Sequence, residues 1–460
     1  MALTESIVTH DVRDVYGRHY RIGGCPEDLT GHSRRSLVWA AWACMVAISP
    51  LQYAFGVAVP GLVESHSWGQ AQTLWLLAGF VACQAGVAAP AAWMHRSAIV
   101  GPYQLITVGG VLASVGLLSL AHLDSFAGTA VGFSMLGGAG AGLVYSTCVT
   151  TAAKWYPEKR VATIGFVTGG FACGAVPVIA AITLAGPGAL STVLTLAAVV
   201  AVGVALVAGR VLQDPPAHWW PPDLDAQAWA VDHQLNRSLP HNMPAVRHYT
   251  PGEAVRTGVL PLIWVLLASI SAVSLFGIAF VAGYALADGM GATVAGLAVA
   301  VLAATNGVVR ATAGDLSDRF GRTRVLTWVL ALEGAAQFAL VLTGEAGQAW
   351  AFVACALLVG LGGGAFYAIF AEVVLEYFGD RSLLQNQAVV YSAKGVGGLV
   401  GIGGAAALVA SVGYAPAFVT AGCVGLAAAA LVRLLKQPGR PALSLRNTLG
   451  TPAVSDRVPD

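Results

Sequence analysis

Hydrophobic positions along this chain run in long blocks with neither the alternation of a half-buried strand nor the narrow stripe of a surface helix. Twelve blocks are about 20 residues or longer, enough to cross a hydrocarbon layer as helices. They cover residues 38–60, 72–94, 101–120, 127–152, 161–183, 190–212, 259–282, 292–313, 324–343, 349–374, 386–410 and 415–436, here spans 1 to 12. Backbone polar groups in lipid must be satisfied within the segment, so the blocks predict an all-α membrane protein. A polar, proline-rich stretch divides them six and six. The expected organisation is a tail (1–37), a six-helix bundle (38–212), a linker (213–258), a second six-helix bundle (259–436) and a second tail (437–460). Within the linker, PGEAVRT is the one segment expected to form a short amphipathic helix.

Composition agrees. Hydrophobic residues make up 57% of the 460 positions and charged residues only 10%, against about 25% in soluble domains. So little charge cannot solvate the surface of a chain this long. The net charge of +1 gives no reason to expect nucleic-acid binding. The seven cysteines show neither a disulfide framework nor a metal-binding spacing. No apolar core precedes a cleavage site in the first 36 residues, so no signal peptide is expected.

Charge placement orients the spans. Loops after even-numbered spans hold Arg96, then Lys154, Lys159 and Arg160, then Arg319, Arg322 and Arg324, then Arg381. Loops after odd-numbered spans hold no Lys or Arg. By the positive-inside rule both tails and the linker are expected in the cytoplasm, with the chain in the plasma (inner) membrane. Of 24 Lys and Arg residues, Arg210, Arg324, Arg433 and Lys436 sit at span ends, and only Arg310 and Lys394 are otherwise placed inside spans.

The halves carry a faint repeat. GAGLVYSTCVTTAAKWYPEKR from Gly140 matches GGGAFYAIFAEVVLEYFGDRS from Gly362, placing Tyr145 on Tyr367. The same comparison places Lys394 on Phe171 and Arg310 on Ala89. Neither cation has a counterpart, so neither is needed merely to build the scaffold. Repeated halves with a site between them are the organisation of secondary transporters.

An ionisable group deep in a span costs several kcal/mol unless it meets a partner or a wet cavity. Lys394 can bind an anionic substrate, or form a structural ion pair with Glu333 or Glu372. Arg310, close to the expected end of span 8, can serve as a second, bidentate carboxylate ligand. Alternatively it can snorkel to the interface or pair with Asp315 or Asp318. Gln52, Tyr53, Tyr145, Tyr367 and Tyr391 supply hydrogen-bond donors and ring faces suited to lining a small cavity, although a single Tyr is more often a packing residue. Glu333, the acidic residue nearest mid-span, is a possible proton site or a buried hydrogen-bonded carboxyl. In GDLSDRFGRTR the glycines (Gly314, Gly321) permit tight turns, and Asp315 and Asp318 can pair with Arg319, Arg322 or Arg324 as a conformational latch. No Walker loop, nucleophile triad or metal site is present, which argues against an enzyme.

GDLSDRFGR after span 8 closely resembles the loop signature of the major facilitator superfamily. With LQYAFG, GLVYS, KWYPEKR, NGVVR, EYFGDR and YSAKG, it makes the chain similar to that superfamily's oxalate/formate antiporter family from about residue 38 to 436. The loop between spans 2 and 3 keeps only Gly101-Pro102 and Arg96 of the signature, and Val161 stands where the family commonly has Gly. The resemblance implies the major facilitator fold and a small-carboxylate substrate, bound in that family by a Lys in span 11 and an Arg in span 8 among aromatic side chains. Carried over, these are Lys394 and Arg310, with Gln52, Tyr53, Tyr145, Tyr367 and Tyr391 around them. The expectation is a monomeric alternating-access antiporter without a cofactor. The alternatives are a proton-coupled monocarboxylate symporter, an exporter of a neutral metabolite or drug, and, more remotely, a receptor built on a transporter fold.

Overall fold

The protein was analysed as a computed structural model that describes residues 10–96 and 99–440. Twelve helices among them are long and apolar enough to cross a membrane: Arg34–Tyr53, Gln70–Ala91, Pro102–His122, Phe126–Trp155, Pro157–Ala185, Pro187–Val211, Val259–Ala287, Ala292–Phe320, Arg322–Glu345, Ala349–Phe378, Leu383–Val412 and Tyr414–Leu434. Spans 3 and 6 pack together, as do 8 and 10, and 9 and 12. Spans 5 and 8, and spans 2 and 11, pack across the two halves. One continuous apolar core runs through both.

Glycine sets the distance between the helices that cross the halves. A side chain at Gly169 would place its first carbon 2.6 Å from the Gly307 carbonyl oxygen, and one at Gly165 would collide with the backbone of Arg310. Spans 5 and 8 therefore meet backbone to backbone beside Arg310, as small residues permit in membranes. Span 1 is interrupted after Ile48. Pro50 has no N–H and its ring crowds the preceding turn, so the chain re-enters helix as Pro50–Tyr53, which carries Gln52 and Tyr53.

Span 8 differs from expectation in a way that matters for the site. It continues through the GDLSDRF segment to Phe320, because its Gly314 sits on Val161 and Ala162 of span 5 and does not turn. The turn is made by Gly321 alone, at φ +92°.

The N-terminal tail and the linker also hold more structure than their polar composition implies. Strand β1 (His10–Arg13) pairs antiparallel with β2 (His19–Ile22), and β2 pairs parallel with β3 (Trp219–Trp220) from the linker. Tyr20 packs edge-on against Trp220, and Trp219 against Trp155 at the end of span 4. PGEAVR does form a short helix, Pro251–Arg256, with a capping box between Thr250 and Glu253. The linker is tied to both halves: Trp155 Nε1 donates to the Gln213 carbonyl, and Asn242 Nδ2 to the Ser317 carbonyl. Tail and linker thus cap one end of the bundle, the basic face. Beneath the cap a cavity of about 610 Å³ is lined by Arg18, His19, Trp219, Arg160, Arg322 and Glu372 among others.

Candidate functional site

Lys394 lies eleven residues past Leu383, the start of its helix, about 17 Å along the axis at 1.5 Å per residue. It is 3% exposed. Its ammonium donates to Gln84 Oε1 of span 2 at 2.6 Å and to Tyr391 Oη at 3.4 Å. Four rings surround it, with Tyr145, Tyr391, Tyr367 and Phe171 centroids 5.5, 5.6, 5.6 and 5.8 Å from Nζ. Tyr145 and Tyr367, matched by the repeat, flank the ammonium at nearly equal distances from opposite halves. Phe171, the repeat partner of Lys394, completes the box. Ring faces attract a cation and exclude water from it.

Arg310 is also 3% exposed, ten residues before the end of its helix at Phe320. It does not snorkel. Its Nη2 donates to Tyr53 Oη at 2.7 Å and to Asn306 Oδ1 at 2.8 Å, its Nε to the same Oδ1, and its Nη1 to the Thr168 carbonyl at 3.1 Å. The alternatives involving carboxylates are not formed. Glu333 is bonded by Gln337 of its own helix and Glu372 faces Arg160, while Asp315 and Asp318 pair with Arg319 and Arg322. Among the described residues neither buried cation has a carboxylate within 4 Å. Tyr53, which accepts from Arg310, packs on Phe171, whose ring also faces the Lys394 ammonium, so the two charges share one aromatic cluster between the halves.

Tyr53 packs edge-on to Phe171, and Tyr145 stacks with Tyr391 at 6.0 Å. The structure therefore brings Tyr53, Tyr145, Tyr367 and Tyr391 together around the two cations. Gln52 is buried beside Tyr53, but no hydrogen bond joins it to either cation. A cavity of about 130 Å³ opens below the rings, lined by Tyr145, Tyr367, Tyr391, Ile164, Gln387 and Phe370. Tyrosine side chains thus separate the cations from space that leads toward the basic face.

Three participants were missed from sequence. Gln84 and Asn306 are polar residues inside spans, and Asn306 stands one helical turn before Arg310, a spacing that places both on one face. The third, Thr168, contributes only a carbonyl, for which sequence carries no signal.

In the GDLSDRFGRTR segment, Arg322 is the centre. It bridges Asp318 and Glu376 of span 10, donates to Ser317 Oγ, and its backbone N–H donates to Asn242 of the linker. The Asp315–Arg319 pair is solvent-exposed and worth little. These ion pairs stay within the second half. Arg160–Glu372, at 3.7 Å, crosses the halves at this face. The corresponding loop between spans 2 and 3 lies partly outside the described residues.

A sequence profile described as Major Facilitator Superfamily matches residues 41–286 and 262–456. The chain is 26% identical to the oxalate:formate antiporter of Oxalobacter formigenes over 347 residues, covering 74% of this chain and 77% of that one. It is 26% identical to human monocarboxylate transporter 11 over 379 residues, covering 79% and 75%. Among solved structures it superposes on the xylose transporter XylE from E. coli in a partially occluded inward-open conformation, with TM-score 0.64 and 14% identity over 89% of this chain and 99% of that one. That last likeness concerns the fold alone.

Proposed function

The chain belongs to the Major Facilitator Superfamily and is a multi-pass membrane transporter; on that premise we propose that it carries small carboxylate anions by alternating access. The observation that carries this reading is the pair of buried cations, Lys394 and Arg310, held by neutral oxygens and aromatic rings with no carboxylate of the described residues within 4 Å of them. Keeping one charge out of water costs several kcal/mol even after relaxation. Two adjacent like charges are costlier, and an anion offsets both. Lys394 acts as a point charge, while the Arg310 fork suits two carboxylate oxygens. Tyr53, Tyr145, Tyr367, Tyr391 and Gln52 wall the anion off from water. The names of the two curated relatives, an oxalate:formate antiporter and a monocarboxylate transporter, support the same substrate class.

The transport cycle is a rocking of residues 38–212 against 259–436, with the basic face in the cytoplasm of a monomer in the plasma membrane. The glycine contacts between spans 5 and 8 form the sliding surface. Arg160–Glu372 favours closure at the basic face. Bound anion lowers the cost of enclosing the cations, so the loaded carrier reorients faster than the empty one, and the expected mode is exchange.

The test is reconstitution in liposomes preloaded with formate or oxalate, followed by uptake of the labelled anions. Wild type should exchange them, and Lys394→Gln and Arg310→Gln should not. Exchange at wild-type rates by both variants would discard the anion site. An exporter of neutral compounds would tolerate Lys394→Gln.

A further inference from the structure

Asn306 holds Arg310 with one end of its amide and faces Glu333 with the other. Its Oδ1 accepts from Arg310 Nε and Nη2 and from Tyr53 Oη. Three donors fix which end is oxygen, so Nδ2 points the opposite way, and it has no hydrogen-bond partner. It points to the space left by the missing side chain of Gly363. A first side-chain carbon there would lie 2.6 Å from Ser274 Oγ, 3.3 Å from Asn306 Nδ2 and 3.4 Å from Glu333 Oε2. Glu333 is fully buried and its Oε2 is likewise unpartnered, while Oε1 accepts from Gln337. A donor, a hydroxyl and a carboxyl oxygen therefore converge on a glycine-made space inside the second half.

We propose that Glu333 is a proton site coupled through Asn306 to Arg310, and that its protonation state selects the charge of the anion carried; this rests on the carboxylate reading above. When Glu333 is ionised, it attracts the unpartnered Asn306 amide across the bare face of Gly363. That polarises Asn306 Oδ1 toward Arg310 and leaves the site with a net charge of +1, suited to a monocarboxylate. Protonation adds one O–H at Oε2 from the surrounding water and raises the net charge to +2, suited to a dicarboxylate. The same proton returns to water when the anion leaves. Among the described residues no ion pair reaches the carboxyl. Its surroundings are Gln337 on its own helix, Ser274 on span 7, Asn306 on span 8, and Gly362 and Gly363 on span 10. Arg310, beyond Asn306, is the nearest cation by this route.

The experiment compares labelled oxalate and formate uptake into proteoliposomes across about pH 5 to 9, a range in which buried carboxyls titrate and both probes stay largely ionised. In wild type the oxalate-to-formate ratio should rise about tenfold from the alkaline to the acid end, one unit charge at the site being worth roughly that much. Glu333→Gln, permanently neutral, should hold the acid-end ratio at every pH. Gly363→Ala, whose methyl would stand between the Asn306 amide and the carboxyl, should flatten the profile as well. A Glu333→Gln profile that follows wild type overturns the proposal. Infrared titration of the purified carrier is independent of transport. A protonated-carboxyl band that titrates in this range, is lost in Glu333→Gln and shifts in Asn306→Leu supports the coupling, and a band absent from wild type or indifferent to both changes overturns it. If wild type moves neither anion, the carboxylate reading falls, and the infrared result still decides whether the proton site exists.

Discussion

Lys394 of span 11 donates a 2.6 Å hydrogen bond to the Gln84 carboxamide of span 2, joining the two halves through a buried ammonium and a neutral oxygen. A neutral acceptor satisfies a donor without cancelling its charge, so the ammonium stays attractive to an anion. Gln84→Glu would put a fixed carboxylate in that place. The variant should fold, since a buried pair with good geometry is tolerated. It should raise the KM for carboxylate uptake at least tenfold, equivalent to about 1.4 kcal/mol of lost attraction. The dependence of uptake on substrate concentration measures this, and an unchanged KM would show that the anion does not use Lys394.

Arg310 distributes its guanidinium over Tyr53 Oη, Asn306 Oδ1 and the Thr168 carbonyl. Lysine keeps the charge but cannot reach three directions with a planar fork. Arg310→Lys is expected to retain the thermal stability of the wild type in detergent to within a few degrees while losing at least tenfold in transport. Full activity of this variant would reduce the role of Arg310 to its charge alone.

Much of this was legible in the chain. Block length gave twelve spans because lipid leaves the backbone no partner but its own helix. The rarity of charge singled out Lys394 and Arg310, since an unneeded cation in a span is expensive. The depth of Arg310 was not legible: GDLSDRF reads as a polar loop, yet Gly314 lets span 8 continue against span 5, and only that backbone contact shows it. Nor was the cap, whose strands are too short to show alternation and pair between segments roughly 200 residues apart. Gln84 carried a weak signal, an amide in an apolar run. That neither Glu333 nor Glu372 pairs with Lys394 required coordinates.

The contact between spans 5 and 8 gives a prediction about packing. A methyl group at Gly169 would meet the Gly307 carbonyl at 2.6 Å, whereas one at Gly203 would meet nothing within 4 Å. Overpacking of this kind costs about 1–3 kcal/mol. Gly169→Ala should lower the melting temperature and slow transport, and Gly203→Ala should change neither. Equal behaviour of the two would mean that spans 5 and 8 are farther apart than described.

The cap provides a pH dependence outside the membrane. Burial alone would raise the Asp14 carboxyl, but bonds from the Arg18 N–H and guanidinium and from the Tyr20 hydroxyl outweigh it and hold it below the ordinary carboxylate value. A carboxylate depressed on folding contributes stability that is fully present above its unfolded pKa, near 3.9, and is lost as pH falls through the lower folded value. Between about pH 5 and 8 the β1–β2 hairpin should therefore be insensitive to this group. Below about pH 4 it should loosen from Trp220 while the spans, which do not depend on it, stay folded. Hydrogen exchange of residues 10–22 should rise in acid before that of span 1, and Asp14→Asn should show the loosened hairpin at neutral pH. Protection that stays constant to pH 3 would mean that the strand pairing with Trp219 and Trp220 holds the hairpin without Asp14.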